Sequence, residues 1–224
     1  MIGIVMLNTQ FPRLLGDVGN AKTFQGEVIY ETVDIATVSS IVVNEKPDDK
    51  IIDAFVESAK RLINRGAKVV GTSCGFMASA QHEIGNQLSM PFISSSLILL
   101  PLIKTLYGEQ THIGILSFDK TKLAPCHFPE AAQFDSSTIS VTGLEPSGYW
   151  YQCISEGTTE INIDRAKEDV LHTAKSCLAQ NPRIAVLLLE CTNLSPWKEE
   201  IKRVSNLPVF DLVEALQWIA KSNT

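Results

Sequence analysis

Two cysteines in this chain stand where an apolar run gives way to small and polar residues. Cys74 ends the run Val69-Val70-Gly71-Thr72-Ser73 and is followed by Gly75-Phe76-Met77. Cys191 follows Ile184 to Leu189 and Glu190, and precedes Thr192-Asn193. Each stretch reads as a buried strand, a tight turn and the start of a helix, with the thiol at the turn. A thiol at a helix N-terminus is expected to ionise below its ordinary pKa of about 8.5, because free N–H groups and the helix dipole favour the thiolate. The same N–H groups, with threonine and asparagine side chains, can hold a carboxylate and stabilise charge that builds on it as an α-proton leaves. A carbon acid held between two such thiols loses its proton to one and regains a proton from the other on the opposite face. The stereocentre inverts, and no cofactor is required.

The spacing supports a pairing of the two thiols. The 117 residues that separate Cys74 from Cys191 also separate Pro91 from Pro208, each inside a short apolar stretch (Met90-Pro91-Phe92-Ile93 and Leu207-Pro208-Val209-Phe210). Ile2-Gly3-Ile4-Val5 has its counterpart in Ile113-Gly114-Ile115-Leu116. The halves therefore repeat. Ligands of parallel α/β sheets sit at the carboxyl ends of the strands, so two facing halves would put the cysteines on opposite walls of one cleft.

The elements that must position them alternate. Strands are expected at Ile2 to Leu7, Val28 to Ile35, Ile41 to Val43, Lys68 to Gly71, Met90 to Ser94, Thr111 to Leu116, Thr138 to Thr142, Ile184 to Leu189 and Leu207 to Phe210. Helices are expected from Asp49 to Arg65, Ser79 to Leu88, Ser95 to Tyr107, Asn162 to Gln180, Pro196 to Val204 and Val213 to Lys221. In the long one, Ile163, Ala166, Val170, Leu171, Ala174 and Leu178 form the buried side. Alternating strands and helices mean an α/β fold with mainly parallel sheets.

The chain has 224 residues, 45% of them hydrophobic, which is enough for a sizeable core. With 25 acidic against 19 basic residues and no basic run, the balance argues against a nucleic-acid partner. No apolar run reaches membrane-spanning length. The apolar start Met1 to Leu7 lacks a basic lead and reads as a strand, not a signal peptide. Five widely spaced cysteines without a CxxC pair give neither a disulfide framework nor a zinc pattern, so a reduced, cytoplasmic protein without a metal is expected. Gly3 and Gly16 form no phosphate-binding fingerprint.

Gly71-Thr72-Ser73-Cys74-Gly75-Phe76, Glu190-Cys191-Thr192-Asn193, the early Asn8-Thr9 loop and the repeat together resemble the aspartate/glutamate racemase superfamily, which includes hydantoin racemases, maleate isomerases and arylmalonate decarboxylases. The resemblance covers nearly the whole chain. It implies two similar α/β domains, residues 1–90 with 208–224 and residues 91–207, with the active site in the cleft between them. Cys74 and Cys191 would be the acid/base pair of a racemase or epimerase independent of pyridoxal phosphate. Asn8, Thr9, Ser73, Gly75, Thr192 and Asn193 would bind a small-molecule carboxylate, an amino acid or a derivative of one, and Ser117 would line the same cleft. A maleate-type isomerase, a hydantoin racemase, an arylmalonate-type decarboxylase and a non-catalytic binder stay open as alternatives. Members are often dimers, so a homodimer is an open expectation. One departure stands out: glutamate racemases carry Cys-Asn-Thr where this chain has Cys-Gly-Phe.

The other reactive residues read as structural. Cys126, Cys153 and Cys177 read as small buried hydrophobes. Strand alternation puts Glu190 on the face away from Cys191 in a hydrogen-bonding role. His82, His112, His127 and His172 lack metal spacing. Tyr149-Trp150-Tyr151 reads as packing, with a lid over the cleft as the other possibility.

Overall fold

The computed structural model describes residues 1–129, 135 and 137–223. The first half builds β1 (Ile2–Leu7), β2 (Val28–Val33), β3 (Val69–Thr72) and β4 (Phe92–Ile93). The second builds β5 (His112–Ser117), β6 (Ile139–Gly143), β7 (Ile184–Leu189) and β8 (Val209–Phe210). They form two four-stranded sheets with the orders β2-β1-β3-β4 and β6-β5-β7-β8, and every pairing is parallel. The repeat is thus a repeat of topology, and Cys74 and Cys191 follow the equivalent third strand of each sheet.

Helices cover the sheets: α1 (Val38–Ile41), α2 (Asp49–Asn64), α3 (Gln81–Gly85), α4 (Leu100–Tyr107), α5 (Tyr149–Glu156), α6 (Ile163–Gln180), α7 (Lys198–Ser205) and α8 (Leu212–Ser222). Asp48 caps α2 by accepting from the Lys50 N–H, and Gly66, at φ +100, ends it. Phe55, Ala59 and Leu62 bury its apolar stripe, and full burial of a side chain such as Phe55 contributes about 1.5–3 kcal/mol. Leu62 and Ala67 sit on Gly3, and Cys177 of α6 sits on Gly114, each so close that an added Cβ would lie 3.0–3.1 Å from them. The equivalent glycines let both sheets take their helices at short range. The largest apolar cluster draws on both halves and includes Phe11, Phe76, Phe118, Trp150 and Trp197. Among the described residues no helix is long and apolar enough to cross a membrane.

Several expectations need correction. The carbonyls of Pro91 and Pro208 accept from Val70 and Leu187, so β4 belongs to the first sheet and β8 to the second. These edge strands lie just past the positions 90/91 and 207/208 at which the two expected domains meet. The proline lacks an N–H but still lends its carbonyl at the edge. After β8, α8 returns to the first sheet, and Leu216 lies directly over Gly71. Ile41 to Val43 forms no strand. A reciprocal cap between Thr37 and Ser40 folds α1 there instead. Ile163, at the first turn of α6, is 53% exposed. Cys126 is exposed, whereas Cys153 and Cys177 are buried.

Candidate active site

Both cysteines cap short 3₁₀ turns, Gly75–Ala80 and Thr192–Trp197, not the expected α-helices. Backbone bonds fix each loop to the neighbouring strand: Ser73 N–H donates to Val5 O at 3.0 Å, and Glu190 N–H to Leu116 O at 2.9 Å. The loops are tied to each other, because the Thr192 hydroxyl donates to Ser73 O at 2.9 Å. The Cys191 thiol donates to Asn193 Oδ1 at 3.7 Å, and Asn193 Nδ2 donates to Asp17 Oδ2 at 2.6 Å. Asp17 also pairs with Arg13, whose Nη2 donates to Thr9 Oγ1 at 2.8 Å. A chain of polar groups thus runs from Cys191 to a cation in the loop after β1.

Thr9, Arg13, Ser73, Cys74, Gly75, Cys191, Thr192 and Asn193 all line one pocket between the sheets. Phe11, Phe76 and Phe118 supply its apolar walls. The cavity is about 30 Å³, room for a water or two and far below the 300–1,000 Å³ typical of ligand pockets. An outer cleft of about 200 Å³ adjoins it, and Thr9, Val38 and Ile154 line both.

Two expected site residues lie elsewhere. Asn8 is exposed in the outer cleft, with Nδ2 donating to Asp34 O at 3.1 Å. Ser117 is buried behind the pocket and donates to Glu190 Oε2 at 2.8 Å. Ser73 lines the pocket, but its hydroxyl oxygen is taken by the Leu7 N–H at 2.9 Å. The aromatic cluster is packing: Trp150 is buried and donates to Asn193 O, while Tyr151 stacks on Phe118 at 4.5 Å. His127 is buried behind Phe76, with ring centroids 5.0 Å apart.

Sequence reasoning missed Arg13 and Glu190. Arg13 sits in a polar loop at a strand's carboxyl end, which was the available signal. Glu190 was misassigned because β7 ends at Leu189, and alternation stops where the strand stops. Glu190 lines the pocket and is only 1% exposed.

The electrostatics reverse the expectation for the thiols. Burial, then the Glu190 carboxyl, pushes Cys74 up to about 12 against the relief given by the Phe76 N–H. Cys74 keeps some exposed surface, but the protein packed around it dominates. Cys191 is driven well above the usual thiol range by burial, by Glu190, by Cys74 and by Asp17, against the Asn193 N–H. One N–H from a short turn does not outweigh desolvation plus a neighbouring acid. Burial lifts Glu190 itself to about 7, moderated by the Ser117 hydroxyl and the Phe118 N–H.

No family model matches the chain. It is similar to a dimethylsulfoniopropionate lyase from Durusdinium sp. clade D, 28% identical over 98% of this chain and 74% of that one. It is also similar to dimethylsulfoniopropionate lyase 7 from Emiliania huxleyi, 25% identical over 95% of this chain and 64% of that one. This chain thus spans less than two thirds of the second relative. Among solved structures, unliganded arylmalonate decarboxylase superposes at TM-score 0.59, with 15% identity over 99% of this chain and 91% of that one. Glutamate racemase from Francisella tularensis superposes at 0.53, with 17% identity over 99% of this chain and 78% of that one.

The fold is the two-domain racemase fold. The curated relatives are enzymes, but they are lyases, and this overturns the expectation of a racemase or other isomerase.

Proposed function

We propose that this chain is a lyase that splits dimethylsulfoniopropionate, or a close zwitterionic relative of it, by β-elimination. The observation that carries the reading is the match along 98% of the chain to a dimethylsulfoniopropionate lyase. The pocket's chemistry supports it. The substrate joins a carboxylate, an acidic C–H beside it and a sulfonium leaving group one carbon further on.

Arg13 uses single N–H groups of its two terminal nitrogens on Asp17 and Thr9, and its other donors suit the carboxylate. Thr192, the first residue of the second 3₁₀ turn, adds a backbone N–H group. Phe11, Phe76 and Phe118 give the pocket aromatic surface suited to a soft cation, and one face of Phe11 already carries the Arg13 guanidinium at 4.3 Å. Cys191, oriented by Asn193, is the base. In the empty pocket it is protonated. A bound sulfonium is the opposite charge that favours the thiolate, and the thiol proton passes to solvent. The thiolate then takes the proton beside the carboxylate. That C–H electron pair becomes the carbon–carbon double bond, and the carbon–sulfur pair leaves with dimethyl sulfide. Acrylate remains, and the net release is one proton. Cys74 forms the facing wall and has no obligatory proton to deliver.

The test is to mix the protein with dimethylsulfoniopropionate and follow the vinyl protons of acrylate by NMR. Acrylate should form with the intact protein. A folded protein that produces none would remove this reading.

A further inference from the structure

Glu190 is built into the pocket in a way the elimination above does not use. Its Oε2 accepts from Ser117, while Oε1 is buried without a hydrogen-bond partner among the described residues. Such an oxygen is costly to bury. It lies directly against Gly75: a Cβ there would lie 2.1 Å from Oε1 and 2.3 Å from the Glu190 carbonyl oxygen. Any larger residue beside Cys74 would therefore expel the carboxyl. This accounts for Cys-Gly-Phe where glutamate racemases have Cys-Asn-Thr. The missing side chain at Gly75 and the carboxyl at Glu190 fill one volume.

Neither thiol donates to this carboxyl, since the Cys191 S–H is directed to Asn193. The Arg13 cation is held by Asp17 and Thr9. Three phenylalanines make the rest of the wall apolar. A free acceptor oxygen among aromatic rings suits a cation that carries no N–H, since such a group needs charge and apolar surface but no hydrogen bond.

We propose that Glu190 Oε1 is the anionic anchor for an onium group of the substrate, and that the missing side chain at Gly75 is what leaves room for this carboxyl. The proposal rests on the lyase reading for its substrate class and makes these two residues the determinants of specificity for zwitterions over simple carboxylates. In the empty pocket the acid sits at about 7, and a bound cation favours its ionised form. The thiols around it are raised and stay neutral over this range.

The test compares two ligands of one shape: trimethylammoniopropionate and its carbon isostere, in which tert-butyl replaces trimethylammonium. Binding is measured by calorimetry at about pH 8 and about pH 6. The intact protein should prefer the onium ligand by at least about tenfold at the higher pH. That preference should collapse in Glu190→Gln and in Gly75→Ala. The onium ligand's affinity should fall towards tenfold per pH unit below about 7, and the isostere's should not. Equal affinities in the intact protein, no onium binding, or a preference that survives in Glu190→Gln would overturn the proposal, and the first two outcomes need no variant to fold. Dimethyl sulfide release from the same preparation keeps the two readings apart. An onium preference without release refutes the lyase and keeps the anchor. Release without preference refutes the anchor alone.

Discussion

Glu190 makes stability depend on pH in a definite direction. Its pKa rises from 4.5 in the unfolded chain to about 7 in the fold. Between those values the folded form holds a proton that the unfolded form has lost, so stability is complete below 4.5 and declines as pH rises to about 7. The full decline is about 3 kcal/mol. Glu190→Gln should abolish it, so that urea titrations show the variant gaining on the intact protein above about pH 7 and matching it near pH 4. The same residue shows what a sequence hides. Both thiols were legible, because each ends an apolar run and the two share a spacing with the X-Pro strands. Their raised pKa values were not, since these depend first on burial in the folded pocket and then on a carboxyl whose direction is set by the turn after β7. The thiols also divide by role. Cys191→Ser should lower acrylate formation by about 100-fold or more, the effect of losing a positioned base, and Cys74→Ser should retain activity within about tenfold. Equal losses would return both thiols to obligatory roles.

The elements carry the site through a few close approaches. β1, β3, β5 and β7 were readable from their apolar runs, and α2 and α6 from their periodicity and caps. The 3₁₀ turns and α1 were not, because hydrogen bonds local to the folded loops decide them against the β-branched residues Val38, Ile41 and Val42. α5 was missed for another reason: its first turn, Tyr149 to Tyr151, is aromatic and reads equally as loop packing. The loop after β1 depends on Gly16, at φ +102, where an added Cβ would lie 2.6 Å from Pro196 Cα. That contact joins the first half's loop to the second half's 3₁₀ turn and brings Asp17 to Asn193. Gly16→Ala should therefore cost about 2 kcal/mol or more, from backbone strain and overlap. It should also slow turnover, measured by urea unfolding and acrylate formation side by side. A stability loss with unchanged turnover would separate the loop from the site.

At the scale of the whole molecule, the sheets repeat in topology and point their third strands at one pocket. The repeat was legible as equal spacings, and with it the fold. The reaction was not, since the relatives by sequence are lyases while the neighbours by fold include a decarboxylase and a racemase. The pocket that holds the thiols also carries Arg13, Glu190 and three phenylalanines. The most direct test gives the protein dimethylsulfoniopropionate and measures dimethyl sulfide in the headspace against acrylate in solution. The two should appear in equal amounts from the intact protein, and release should be at least about 100-fold slower from Cys191→Ser. No dimethyl sulfide from folded, intact protein, or undiminished release from Cys191→Ser, would contradict the proposed elimination.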